Sequence, residues 1–501
     1  MLTSVSSETV LSRRGALGLL GAAAAVPVLA ACGGRNPAER GSAAVTLATT
    51  IATQQDQKFL TEWLGRFTEQ TGIQVRTRFY PDQQYANSIQ LLFQGDDRPD
   101  VFRLVKQPAE MPAAVLKGWI QPLDGFPEII TTLERDYPAQ ARDATTSGLH
   151  VGEELYGMPS LTHRPWGACR PLMYNAALMD KYGVGTPPAT WSELREAAEK
   201  ITRDSKGEVF GFGLVGQIPE PLGVTVYALQ NTAGPQMTDP SGTPINYQTG
   251  EPGAGHPSFV EAVALLRDLV ARKVMPVGWE NLKPPQFFQQ FASGRIAMAV
   301  IPSWWSGEIR KLKPDIELGY APLPVPDSGR KGYGAIGAAK NPGSIQPYWG
   351  ISKGSANAAA AARVLAFLAG LEPQRAYYEM SKIPTALADK YADRLSQDDR
   401  RLLELARETQ RLAPNPLTRS SGAITVLAGI AQNSPKPTQA EIFFDAINGK
   451  IDYKAAAAEL DAKLDGVFAE ELKKVQDKGG DIDRGTFTFA DWDPMKDYTT
   501  R

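Results

Sequence analysis

Residues 44–80 read AVTLATTIATQQDQKFLTEWLGRFTEQTGIQVRTRFY, and two periodicities follow one another within them. Ala44 to Thr50 is a short β-leaning run. From Asp56 to Gln70 the apolar residues Phe59, Leu60, Trp63, Leu64 and Phe67 recur at helical spacing, which predicts an amphipathic helix. Thr71-Gly72 ends that helix, because glycine accepts the left-handed turn that side chains resist, and Ile73 to Phe79 reads as the next strand. Tyr85 to Phe93 returns to helical periodicity, and Asp100-Val101-Phe102 starts another strand. Strands alternating with helices of this length imply an α/β lobe.

Working outward, the alternation resumes after Pro159. Trp191 to Ile201 reads as a helix that Thr190 can cap, Val209 to Val215 as a strand, and Pro257 to Arg272 as a helix. Gly294 turns a helix into the strand Ile296 to Ile301, and Gly95 with Pro99 makes a similar helix-to-strand turn. This is a second lobe. Helices dominate from Ala356 onward, including Ala358 to Leu368, Asp398 to Gln410, Gln439 to Ile447 and Lys454 to Lys474, and no internal repeat of solenoid period is present. From about Lys478 the chain is polar and rich in Asp and Gly around Phe487, Phe489 and Trp492, which reads as a terminal extension. A chain of 501 residues, 43% of them hydrophobic, has material for more than one core.

The first residues read as an address. Ser12, Arg13 and Arg14 precede an apolar run from Ala16 to Ala31 that is too short to span a bilayer. SRRGAL resembles a twin-arginine export signal. Leu29-Ala30-Ala31-Cys32 resembles a lipobox, whose small residues admit a peptidase to the bond before a cysteine that becomes acylated. Residues 1–31 are then the signal, Cys32 is the lipidation site, and the small, polar stretch 32–43 is a flexible tether. With Cys32 acylated, Cys169 is left without an intrachain partner, so stability must come from packing rather than disulfides. Lysine and arginine number 53 against 55 acidic residues, a formal charge of −2. That balance gives no footprint for nucleic acid or an anionic membrane surface, so the membrane is met only through the anchor.

Eight ordered landmarks carry a family resemblance. They are WLGRFTEQTGIQV (63–75), GDDRPDV (95–101), LYGMP (155–159), LMYN (172–175), PPATWSEL (187–194), FASGRIAMAVIPSWW (291–305), APLP (321–324) and WGISKGSANAAAAARVLAFL (349–368). In this order they resemble the extracellular solute-binding protein family of ABC importers that includes maltose-binding protein. The resemblance implies an α/β, two-lobed periplasmic-binding-protein-like fold with a ligand cleft between lobes. Its partners would be a small-molecule ligand of carbohydrate type and ABC permease subunits, its location the periplasm or cell surface, with no cofactor and no metal. On this pattern lobe 1 comprises 44–160 and 318–372, lobe 2 comprises 161–317 and 373–477, and 478–501 is the extension. GDDRPDV has one more residue between its first Gly and its Pro than the usual form, and the segment from Pro159 to Tyr174 is longer than usual, so the cleft edges differ.

A pyranose has an apolar face that stacks on an indole and a rim of hydroxyls that need partners, so ligand contacts belong to aromatic and amide residues at strand ends. Trp304 and Trp305 follow the strand Ile296 to Ile301 at its C-terminal end, where open α/β sheets place ligands. Adjacent residues point apart, so one of the pair can equally be core. Trp349 lies in the crossing stretch Pro347-Tyr348-Trp349-Gly350, where the family often exposes an aromatic. His163, Arg164 and Trp166 occupy the crossing segment after LYGMP, Gln54 and Gln55 fall at the family's first ligand loop, and Lys106 and Gln107 follow the strand Asp100 to Leu104. Gly211 to Gly216 spells GxGxxG, but Ile218-Pro219-Glu220-Pro221 follows where a phosphate-binding helix would have to begin, so this is a strand rather than a dinucleotide site.

Other functions remain in view. A His163–Cys169 thiol pair lacks a surrounding nucleophile motif, and no acid pair stands out for glycoside hydrolysis. His150 and His256 are too isolated for a metal site. A same-fold receptor for a polyamine or a glycerol phosphodiester is the closest rival, which an acidic cleft or clustered Arg and Lys would signal. If Cys32 is the anchor, Cys32→Ser abolishes labelling by radioactive palmitate in the expressing cell; undiminished labelling would refute the lipobox.

Overall fold

Every residue of the strand Val45–Thr50 except Thr46 is buried, which is possible only inside a sheet covered on both faces. In the computed structural model it pairs in parallel with Val75–Tyr80 on one side and with Val101–Arg103 on the other. Trp349–Ile351 closes the sheet by running antiparallel to Val101–Arg103. The structure describes residues 44–498 apart from 51–53, 82–83, 96, 105–109, 145–146, 160–169, 218–221, 238–242, 334–346, 382–383, 412 and 421.

The helix Gln54–Thr71 covers this sheet with the apolar stripe anticipated, Phe59, Leu60, Trp63, Leu64 and Phe67. It meets Phe367 of the helix Ala358–Ala369 and Tyr377 of the helix Leu371–Ser381, with ring centroids 5.3–5.9 Å apart. At the opposite end from the helix start, Asp100 ties the layers together. Its carboxylate accepts from Thr46 N at 2.8 Å, Thr46 Oγ1 at 2.9 Å and Ser355 Oγ at 2.6 Å.

A second four-stranded sheet has the order Leu318–Ala321, Leu172–Asn175, Ile296–Val300, Phe210–Gly213. Leu172–Asn175 runs antiparallel to both its neighbours, and Ile296–Val300 is parallel to Phe210–Gly213. The helix Trp191–Asp204 lies on it, begun by the anticipated cap: Thr190 Oγ1 accepts from Glu193 N, and the Glu193 carboxylate accepts from Thr190 N. Gly211 explains the GxGxxG run, since a Cβ there would stand 2.2 Å from the Ala198 carbonyl oxygen. The glycine lets helix and sheet touch; it cradles nothing.

Three boundaries differ from those read in the sequence. Leu318–Ala321 belongs to the second sheet, because it pairs with Leu172–Asn175, and the second lobe holds the chain through the Thr190–Val325 bridge and the Lys331 N to Thr232 O bond. The first lobe, in turn, keeps the chain well past 372: Tyr377, Tyr378, Leu387, Tyr391, Leu395 and Leu403 share its core. The return crossing lies inside the helix Gln397–Thr409, where Leu405 and Ala406 join the core of the second sheet. Finally, the segment read as an extension, 478–501, is docked on the fold over its described part, 478–498. Ile482, Phe487, Phe489 and Trp492 are buried; Phe487 packs 4.9 Å from Phe468, and Arg419 lies 3.7 Å over the ring of Phe489. Composition misled here because four spaced apolar residues suffice to dock a polar strap. Among the described residues no helix is long and apolar enough to cross a membrane.

Phe487 is fully buried, so Phe487→Ala costs about 3–5 kcal/mol and lowers the melting temperature visibly by calorimetry. A tail lying on the surface would tolerate the change without a shift.

Candidate functional site

The strand order of the first sheet opens a crevice. The chain leaves Val45–Thr50 for Val75–Tyr80 on one side and returns to Val101–Arg103 on the other. Connections therefore depart in opposite directions at the C-terminal ends of Thr50 and Arg103, and such switch points are where open α/β sheets hold ligands.

Arg103 occupies the crevice. Its Nη1 donates to the Thr50 carbonyl at 2.8 Å across the switch point, and its guanidinium lies 4.3 Å over the ring of Tyr348. Tyr348 is held in turn by its carbonyl, which accepts from Leu104 N at 2.7 Å. The Tyr85 hydroxyl donates to the Arg103 carbonyl at 2.8 Å. Burial pushes the Tyr85 hydroxyl well above its ordinary range, so it stays a donor at physiological pH. The guanidinium stack contributes about 0.5–2 kcal/mol depending on desolvation. Arg103 Nε is withdrawn from solvent without a hydrogen-bond partner.

On the second sheet the strand Ile296–Val300 runs out into Ile301, Pro302, Ser303 and Trp304, its end steadied by Thr225 Oγ1 donating to the Val300 carbonyl at 3.1 Å. Trp304 is 44% exposed, an unusual state for an indole, while Trp305 is 3% exposed between Phe287 and Phe288. The two rings meet edge to face at 6.0 Å. Trp305 is thus core and supports the ring that is presented. At the same level Arg170 precedes Leu172, the antiparallel partner of Val300, and with Asn231, Arg330 and Gln410 it borders a cavity of about 10 Å³, enough for one water. Arg330 and Arg411 both lie over Tyr333, at 4.7 and 4.2 Å; burial, then the neighbouring Arg411 charge, pull the Arg330 pKa down against the help of Tyr333.

Of the other candidates, Gln54 and Gln55 stand exposed in the first turn of the helix that follows the first strand. Trp349 is corrected: it is 3% exposed within the first-lobe core. Its neighbour Tyr348 is only half-buried and carries the Arg103 guanidinium on its ring. Lys106, Gln107, His163, Arg164, Trp166, Cys169 and Cys32 lie outside the described residues. Sequence reasoning missed Arg103 and Tyr348. A charged residue ending an otherwise apolar strand, Val101-Phe102-Arg103, was the available signal.

Residues 51–375, more than half of the chain, match the model of the bacterial extracellular solute-binding protein family. The chain belongs to that family. A binding protein of Brucella abortus strain 2308 is 26% identical over 218 residues, 44% of this chain and 48% of that protein, so the chain spans about half the length of the curated relatives it matches. Among solved structures, the GacH receptor of Streptomyces glaucescens, known with acarbose, superposes with a TM-score of 0.60 at 18% identity over 86% of this chain and 100% of that one. The cyclic α-maltosyl-1,6-maltose binding protein of Arthrobacter globiformis gives 0.61 at 18% over 86% and 100%, and a substrate-binding protein of Listeria monocytogenes in complex with cycloalternan gives 0.56 at 20% over 85% and 98%. At such identities the likeness establishes the two-lobed fold of this solute-binding protein.

The unequal burial of the tryptophan pair makes a clean test. Trp305→Ala costs about 3–5 kcal/mol of stability, whereas Trp304→Ala leaves the melting temperature of the unliganded protein nearly unchanged. Equal losses in calorimetry would mean that Trp304 is a packing residue too.

Proposed function

We propose that this solute-binding protein captures a saccharide between its lobes, delivers it to ABC permease subunits, and leaves it chemically intact. The observation that carries the reading is the exposed Trp304 indole at the C-terminal end of the second sheet, propped on buried Trp305. An indole presented in this way offers a flat apolar platform for a pyranose face. The ligands named for the solved relatives, acarbose, a cyclic maltosyl-maltose and cycloalternan, support a saccharide.

Family membership supports export; the twin-arginine signal and acylated Cys32 extend that reading to a lipid-anchored protein of the periplasm or cell surface. Gln54 and Gln55 supply neutral amides suited to hydroxyls, and Lys106, Gln107, His163, Arg164 and Trp166 remain candidates for the loops that edge the cleft. Closure of two lobes on one ligand excludes competing water and so strengthens each hydrogen bond. Since each neutral bond nets only about 0.5–1.5 kcal/mol, micromolar affinity near −8 kcal/mol requires several of them with aromatic burial.

A thermal-shift panel of mono- and oligosaccharides, polyols and polyamines tests this directly. A cognate saccharide at a hundred times its dissociation constant stabilises by about 2.7 kcal/mol, reduces the radius of gyration in small-angle scattering, and is recovered unchanged by chromatography. Protein-dependent turnover would transfer the chain to the hydrolases, and a response confined to polyamines would replace the saccharide reading.

A further inference from the structure

Among the described residues the charge at the switch point is unanswered. Arg78, Arg135, Arg195, Arg272 and Arg484 each meet a carboxylate of their own lobe, and Arg310 meets Asp398. Arg103 makes no ion pair among the described residues. Among the described residues its side chain meets one neutral carbonyl, that of Thr50, and one π face, that of Tyr348. Neither neutralises a cation, and a cleft that shuts on its ligand strips water from whatever charge it holds.

We propose that Arg103, braced on Tyr348, receives an anionic group of the ligand, so that the cleft takes an acidic saccharide bearing a carboxylate, phosphate or sulfate. This rests on the saccharide reading and narrows it. The ring of Tyr348 takes one face of the guanidinium, Thr50 takes one Nη1 donor and Nε is withdrawn from solvent, so the planar group is fixed and the edge between Nη1 and Nη2 is the one left to meet a ligand. A guanidinium edge presents two parallel N–H donors matched to two oxygens of one anion, a fit that an ammonium lacks. The Tyr85 hydroxyl, bonded to the Arg103 carbonyl, and the register Arg103↔Trp349 set the backbone from which this side chain projects. A rim of sugar hydroxyls would use the same donors but leave the positive charge without a counter-charge in the closed cleft.

Calorimetry on the intact protein tests the assignment with matched probes: glucuronate, galacturonate and their di- and trimers against the methyl esters of the same compounds, which keep the rings and remove the charge. Sugar phosphates, sulfated saccharides, inorganic phosphate and acetate separate the anion sources and reveal whether a free anion suffices. The expected result is that at least one acidic saccharide binds about tenfold or more tightly than its neutral counterpart. That preference should weaken with salt, vanish in Arg103→Gln and survive in part in Arg103→Lys. Tyr348→Ala, which removes the brace and leaves the charge, should reduce the preference, while Tyr348→Phe should keep it; unliganded melting temperatures confirm that each variant folds. Neutral saccharides binding as well as acidic ones, or an acid preference that Arg103→Gln leaves intact, would overturn this inference and leave the saccharide receptor standing. If no saccharide of either kind binds, both readings fall.

Discussion

The arrangement depends on one constraint, the burial of Val45–Thr50 with a parallel neighbour on each side. A parallel partner cannot be reached by a tight turn, so the chain must cross over through a helix each time. With partners on both sides, successive crossovers must depart in opposite directions. The gap between Thr50 and Arg103 is therefore a topological consequence of the pairing, and the backbone carbonyl left at its lip is the one that Arg103 Nη1 bonds.

The second lobe reaches a comparable result by different means. Its central strand Leu172–Asn175 is antiparallel to both neighbours, so the start of that strand and the ends of Ile296–Val300 and Leu318–Ala321 come to one rim. Arg170, Ser303 and Leu323 follow from that register. Beside the rim, the tryptophan pair divides its labour by burial: one ring anchors among Phe287 and Phe288 and the other is held out. A lone exposed indole would be mobile. An indole resting edge-on against a buried one is oriented before ligand arrives, which lowers the entropic cost of binding.

The lobes are also less separable than a list of segments suggests. The helix Gln397–Thr409 gives Leu403 to the first-lobe core and Leu405 and Ala406 to the second. Beyond it, the C-terminal strap docks Phe487 and Phe489 on the second lobe, and its Pro494 carbonyl accepts from Tyr333 N. Tyr333 carries Arg330 and Arg411 on its ring, so the C-terminal strap steadies the stretch that ends at Tyr333.

By itself the sequence determined the local elements. Helical periodicity placed Phe59 to Phe67 on one buried face, Thr190 with Glu193 announced a cap, and Gln439–Ile447 was legible to the residue. These succeed because periodicity and capping are satisfied within a few residues of chain. Ordered landmarks then implied two lobes and a strand-end cleft. Only the tertiary structure decided which lobe owns Leu318–Ala321, that the terminal aromatics are core, that Trp349 is buried while Tyr348 carries Arg103 on its ring, and that Arg103 lies across from Thr50. Each of these depends on pairing register or on contacts between residues far apart in sequence, such as the 53 positions that separate Arg103 from Thr50. A one-residue change of register reverses which side chain is buried, and nothing in local composition reports it.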